Sequence, residues 1–248
     1  MRVVSNFCRR QYCVAPPIAT LLLLAVALAL PTAQAADASL HIGVAANFRP
    51  AIESLARQYA QQSDTRIVIS SASSGVLFSQ AVNGAPYDLV LSADQQIPAQ
   101  LAVTLKLPSA PFCYAIGQLV LLGGSLDDLG NPNKSLAIAN PTTAPYGMAA
   151  KEVIARGRFS GGAARKLVRG GNALQAYQFW ATGNVDLALV PRSLTLTQGM
   201  AIPPEWHQPI AQFGIALVET PDVDEFLQWL KGNNTRQTIA ELGYRTCS

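Results

Sequence analysis

Between Leu40 and Leu91 the chain alternates two kinds of apolar pattern, and this alternation constrains its fold more than any other feature. Leu40 to Ala45 is a mostly apolar run of strand length. Phe48 to Gln62 then carries Ile52, Leu55, Ala56 and Tyr59 at helical spacing. Arg66 to Ile69 reads as a second strand, Gly75 to Val82 as a short helix, and Tyr87 to Leu91 as a third strand. The turns are short and polar: Asn47, placed as an N-cap for the first helix, then Ser70 to Ser74, then Asn83 to Pro86. An order of β-α-β-α-β with such connections implies a parallel sheet with helices on its faces. In such sheets ligands gather beyond the carboxyl ends of the strands. Asn47 and Ser70 to Ser74 both fall at that edge.

The second half repeats the device. Pro98 to Leu105 reads as a helix and Tyr114 to Leu122 as one strand. After a loop-rich passage, Ser135 to Ala139 is a buried strand, and Asn140 to Pro145 breaks the chain before a helix over Tyr146 to Arg156. A helix is expected over Gly162 to Val168. The turn Arg169 to Asn172 then precedes a helix over Ala173 to Thr182, and Val185 to Val190 is a strand closed by Pro191. The tail holds a strand, Ile210 to Val218, and helices over Val223 to Lys231 and Asn234 to Leu242.

The first 35 residues have the form of an export signal. Arg2, Arg9 and Arg10 precede an apolar run, Ile18 to Leu30, too short to span a bilayer. Ala33-Gln34-Ala35 gives a small-x-small site, so cleavage is expected after Ala35. The whole chain has 18 Lys+Arg against 15 Asp+Glu. Three arginines leave with the signal and no acid does, so the mature chain carries fifteen of each. No basic face remains to recruit nucleic acid. About 213 mature residues suffice for one large α/β domain or two lobes. Cys113 and Cys247 survive processing. In an oxidising compartment they either pair or stay as two buried thiols, and the sequence leaves both readings open.

Four helix starts are thus in hand, at Asn47, Ser74, Tyr146 and Ala173. Each presents main-chain N–H groups without a helical partner, at the positive end of a helix dipole. Singly, each is ordinary capping. Repeated within one exported chain, they describe a receptor that holds an anion with neutral dipoles. The cations nearest in sequence are Arg49 and Arg169. Hydrogen bonds to a charged group contribute about 1.5–3 kcal/mol each, and a handful accounts for micromolar-to-nanomolar affinity. Catalytic patterns are missing: Ser73 and Ser74 have no histidine near in sequence, and no metal-ligand spacing or phosphate loop occurs. His41, inside its strand, reads as structural, and Tyr177, Phe179 and Trp180 read as core.

Six stretches carry a family resemblance: VAANF (Val44 to Phe48), SSASSGVL (Ser70 to Leu77), NGAPYDLVLSAD (Asn83 to Asp94), YAIGQLVLL (Tyr114 to Leu122), LAIANPTTAPYGMAAKE (Leu136 to Glu152) and VDLALV (Val185 to Val190). Over nearly all its mature length the chain resembles the periplasmic molybdate-binding proteins of ABC importers. The resemblance implies a type II periplasmic binding protein fold, two α/β lobes, each a mainly parallel sheet flanked by helices. Residues 36–116 plus 215–248 would form the first lobe and 117–214 the second. Tyr114 to Leu122 and Phe213 to Leu217 would be the crossing strands of the hinge. It implies molybdate or tungstate as the ligand, no cofactor, a membrane permease as partner and a monomer in the periplasm.

By that resemblance the anion contacts fall on Asn47, Ser74, Tyr146 and Ala173, with Ala46, Ser73, Asn172 and Pro191 lining the pocket. Two positions depart from the family's pattern. Many members have serine where Asn47 stands, and the Asn47 amide N–H₂ is expected to donate in its place. Many have a tyrosine hydroxyl where Pro191 stands, and Tyr146 is the residue expected to supply a replacement. Competing readings are a receptor of the same fold for another oxyanion such as sulfate, a ligand-sensing partner of a membrane receptor, and a secreted hydrolase built on Ser73 or Ser74.

Overall fold

The computed structural model describes residues 39–247. The expected export signal and its cleavage site lie outside the described residues. Two open five-stranded sheets, each flanked by helices, make a two-lobed α/β molecule. The first sheet contains β1 (Ser39–Ala45), β2 (Arg66–Ala72), β3 (Leu89–Leu91), β4 (Phe112–Gly117) and β10 (Ile210–Ala216), in the order β2-β1-β3-β10-β4. The second contains β5 (Leu119–Leu122), β6 (Leu136–Ala139), β7 (Leu167–Gly170), β8 (Leu187–Pro191) and β9 (Met200–Ala201), in the order β7-β6-β8-β5-β9.

Both sheets are mixed. Three strands in each are parallel, β2-β1-β3 and β7-β6-β8. The other pairings are antiparallel, through β10 in the first sheet and β5 in the second. The parallel halves are those built by strand–helix–strand units, because a parallel partner needs a crossover. Helices α1 (Arg49–Tyr59), α2 (Ser74–Val82) and α3 (Gln96–Thr104) belong to the first half of the chain. Helices α4 (Pro145–Ile154) and α5 (Ala173–Ala181) follow β6 and β7. Finally α6 (Pro221–Leu230) and α7 (Asn233–Glu241) return to the first lobe, where Phe226, Leu230 and Ile239 join Leu40, Ile52 and Tyr59 in one core.

Two expectations are corrected. The run Tyr114 to Leu122 is not one strand: it divides at Gln118 into β4 and β5, which lie in different sheets. The helix expected over Gly162 to Val168 is instead a 3₁₀ stretch, Gly157–Ala164, followed by β7. Arg165 turns inward there and its guanidinium donates to the carbonyls of Gly162 and Leu129. Leu167 and Val168 then pair with Leu136 and Ala137 in parallel register. Covering the edge of β6 satisfies more backbone groups than one isolated helical turn would. Tyr177, Phe179 and Trp180 pack against a buried cluster of the second lobe, as expected.

Of the two readings of the cysteines, the bonded one holds. Cys113 on β4 and Cys247 form a disulfide with Cα atoms 6.2 Å apart, across 134 residues of sequence. Beside it Arg245 and Ile116 exchange backbone hydrogen bonds of 2.9 and 2.7 Å. The C-terminal segment is therefore fixed along the strand that leads from one lobe to the other.

Candidate anion site between the lobes

The polar turns are where the two lobes meet. In the first lobe, β1 and its parallel neighbour β2 end side by side and deliver Asn47 and Ser73-Ser74. In the second, β6 and its parallel neighbour β7 end side by side and deliver the N-termini of α4 and α5. The two edges touch directly, since the N–H of Gly75 donates to the carbonyl of Thr143 at 3.0 Å. All four expected contact residues are buried: Asn47, Ser74 and Tyr146 at 2% exposure and Ala173 at 5%. Ala45, Ala93, Tyr146 and Ala173 fall in one contiguous buried cluster that draws on both lobes.

The main-chain amides are available. Ser74 and Ala173 open their helices, and Tyr146 follows Pro145 in the first turn of α4. Among the described residues, no hydrogen bond to a protein acceptor uses the N–H of Asn47, Ser74, Tyr146 or Ala173. First-turn amides have no helical acceptor. The cations nearest in sequence stand apart: Arg49 is exposed and paired with Glu53 at 2.8 Å, and Arg169 is exposed on β7. Dipoles and hydroxyls are what the site offers an anion.

The side chains divide into those with a spare proton and those without. Asn47 is not the N-cap of α1; Phe48 holds that place, and no side chain caps the helix. Asn47 instead turns inward, where its Nδ2 donates to Gln212 Oε1 at 2.9 Å and Tyr244 Oη at 3.3 Å. Its carbonyl accepts from Tyr244 Oη at 2.8 Å and Ser193 Oγ at 3.1 Å. Both amide protons are thereby used, so the expectation that the Asn47 N–H₂ serves the anion is corrected: its main-chain N–H is what remains. Asn172 is likewise committed, its side chain accepting from Gln175 N–H at 2.9 Å as a true N-cap.

Ser74 Oγ accepts from Ala93 N–H at 3.1 Å and keeps its own proton. Ser73 Oγ is buried and has no partner among the described residues. Tyr146 Oη accepts from Gln212 Nε2 at 3.1 Å, which leaves the phenol proton free to donate. Burial holds the Tyr146 and Tyr114 hydroxyls well above the usual phenol range, and that of Tyr244 above it too. All three stay protonated through neutral pH. Pro191 closes β8, buried and paired with Leu119, with neither an N–H nor a hydroxyl to give.

A cleft of about 580 Å³ lies between the lobes, lined by Gly75, Asp94, Thr143, Met148 and Glu152 among others; its wall includes the neighbours Gly75 and Pro145 but not Asn47, Ser74, Tyr146 or Ala173 themselves. Burial raises the Asp94 carboxyl above the usual carboxylate range, partly offset by the N–H of Ile97. No histidine serves Ser73 or Ser74: His41 meets Ser39 and Asp88, and His207 meets Gln208. Three residues of this region escaped the sequence reading: Gln212, Tyr244 and Ser193. Gln212 did leave a signal, a lone amide inside the apolar run Ile210 to Leu217.

Known proteins match the chain in sequence and fold. The chain is 34% identical over 242 residues to the molybdate-binding protein ModA of Azotobacter vinelandii, covering 90% of this chain and 96% of the relative. It is 32% identical over 243 residues to ModA of Rhodobacter capsulatus, covering 92% and 95%. The solved Azotobacter vinelandii periplasmic molybdate-binding protein superposes with a TM-score of 0.76 at 32% identity, over 84% of this chain and all of the other. Residues 40–245 match the family described as bacterial extracellular solute-binding protein, and the chain belongs to that family.

Proposed function

We propose that this protein is the receptor of a molybdate importer: it binds molybdate, and tungstate by the same chemistry, between its lobes and hands it to an ABC-type membrane permease. The observation that carries the reading is the set of amides at Asn47, Ser74, Tyr146 and Ala173, drawn from both lobes and free of protein acceptors among the described residues, with Arg49 and Arg169 exposed. A tetrahedral dianion is the guest that such a set of donors suits, and relatives that share a third of the sequence are molybdate-binding proteins by name. Ser73, Ser74 and Tyr146 add hydroxyl protons, and Ala46, Asn172 and Pro191 complete the wall.

The rest of the reading follows. The signal is removed after Ala35 and the product works in the periplasm as a monomer, without catalysis. The expected division, residues 36–116 with 215–248 against 117–214, is shifted by the sheet: β10 (Ile210–Ala216) pairs with β3 and β4, so its first residues move with the first lobe. An anion contacting both lobes favours closure, and the closed form is what the permease reads.

The test is calorimetric titration of the purified mature chain with molybdate, tungstate, sulfate and phosphate. Sub-micromolar binding of the first two, with sulfate and phosphate at least a hundredfold weaker, is expected. Preference for sulfate, or no anion binding, would reject it.

A further inference from the structure

Gln212 is fully buried on β10, one of the strands shared by hinge and sheet. The ladder between β10 and β4 slips between Gln212 and Phe213: Gln212 faces Ala115, Phe213 faces Cys113, and Tyr114 is the extra residue. Bulges of this kind re-aim side chains, and they recur beside functional sites. Here the bulge brings Tyr114 Oη to 2.9 Å from Gln212 Oε1, with the carbonyl of Ser92 equally close to the same hydroxyl.

The carboxamide thus has a distinct partner at each end. Its oxygen accepts from Asn47 in the first lobe, and its nitrogen donates to Tyr146 in the second. These bonds fix two things about the anion site. The Asn47 side chain is held off, leaving the main-chain amide at that turn to act. The Tyr146 oxygen is filled as an acceptor, so that its proton points elsewhere. A buried donor or acceptor left unpaired is costly, so a change in lobe angle that separated Asn47 from Tyr146 would have to break one of these bonds.

We propose that Gln212 is a positioning residue that couples the two halves of the anion site, orienting Asn47 and Tyr146 through one carboxamide so that the donor set is complete only with the lobes closed. This rests on the anion-receptor reading. It adds that selectivity is set in part by a residue on the hinge strand, acting through two others. Neutral groups do all of it, so the coupling is independent of pH through the neutral range.

The experiment compares the wild-type chain with Gln212→Met, which keeps the length and removes all three side-chain hydrogen bonds, to Asn47, Tyr114 and Tyr146, by titration with molybdate and sulfate. Tyr146→Phe is made in each background. Molybdate affinity is expected to fall tenfold or more in Gln212→Met, with a smaller molybdate-to-sulfate ratio. Tyr146→Phe should weaken binding in the wild type and change it less than twofold in Gln212→Met, because coupled residues are not additive. Small-angle scattering should show less compaction on adding molybdate to the variant. If methionine there prevents folding, Gln212→Asn, too short to reach both partners, takes its place.

A wild type that binds no anion rejects the receptor reading and this proposal with it. A wild type that binds molybdate overturns the proposal alone under any of three outcomes: variants that match its affinity and ratio, additive effects of the two substitutions, or a lower melting temperature with binding unchanged.

Discussion

Ser73 is the residue at which a role in the fold and a role in the proposed binding can be told apart. Its hydroxyl is buried without a protein partner, whereas its neighbour Ser74 accepts from Ala93. Removing a polar group that bonds to nothing costs the fold little. Ser73→Ala is therefore expected to leave the melting temperature unchanged or higher and to weaken molybdate binding by about tenfold, one charge-assisted hydrogen bond's worth. Paired melting and titration curves check it; a lower melting temperature with intact binding would assign the serine to the scaffold. Asn47 marks the limit of reading residues from sequence. A polar residue between a strand and a helix has the appearance of a cap, and its backbone position was legible. What its side chain does depends on Gln212 and Tyr244, which lie 165 and 197 residues away, and no local pattern carries that.

Among the helices, α4 is tightly fitted against its strand. A Cβ built on Gly147 would stand 2.3 Å from the carbonyl oxygen of Ala139, at the end of β6. The helix start can approach the strand end only through glycine at that point. Gly147→Ala is expected to destabilise the protein by about 1–3 kcal/mol, the usual range for overpacking, and to weaken anion binding by displacing the Tyr146 amide. Urea unfolding and titration of one preparation measure both. The helical and parallel-strand units were legible because each is a local pattern with a short turn. Residues Gly162 to Val168 misled, because a short apolar run fits helix or strand equally and only the open edge of β6 decides. The antiparallel pairings of β10 and β5 were hidden because their partners lie far off in sequence: β10 pairs with β3 and β4, and β5 with β8 and β9.

At the scale of the molecule, the disulfide and the buried phenols set the limits of stability. The Cys113–Cys247 bond spans 134 residues, and a closed loop of that size contributes roughly 3–5 kcal/mol on a chain-entropy account. Cys113→Ser with Cys247→Ser should lower unfolding stability by that order while retaining anion binding, measured by urea titration against the oxidised parent. Tyr114, Tyr146 and Tyr244 have pKa values raised by burial. Below about pH 10 the folded and unfolded chains both keep these protons. Above it the unfolded chain releases them while the folded one does not, so stability falls as pH rises. Denaturation at about pH 9 and 11 should show that loss, and equal midpoints would contradict it. The strand order carries one more consequence. In the first sheet β10 lies between β3 and β4, so β4 has no neighbour there until residue 210 has been made, whereas the second sheet is finished by Ala201. A chain emerging from the ribosome can therefore complete its second sheet first, while the first stays open at β3 and β4 until β10 arrives to join them.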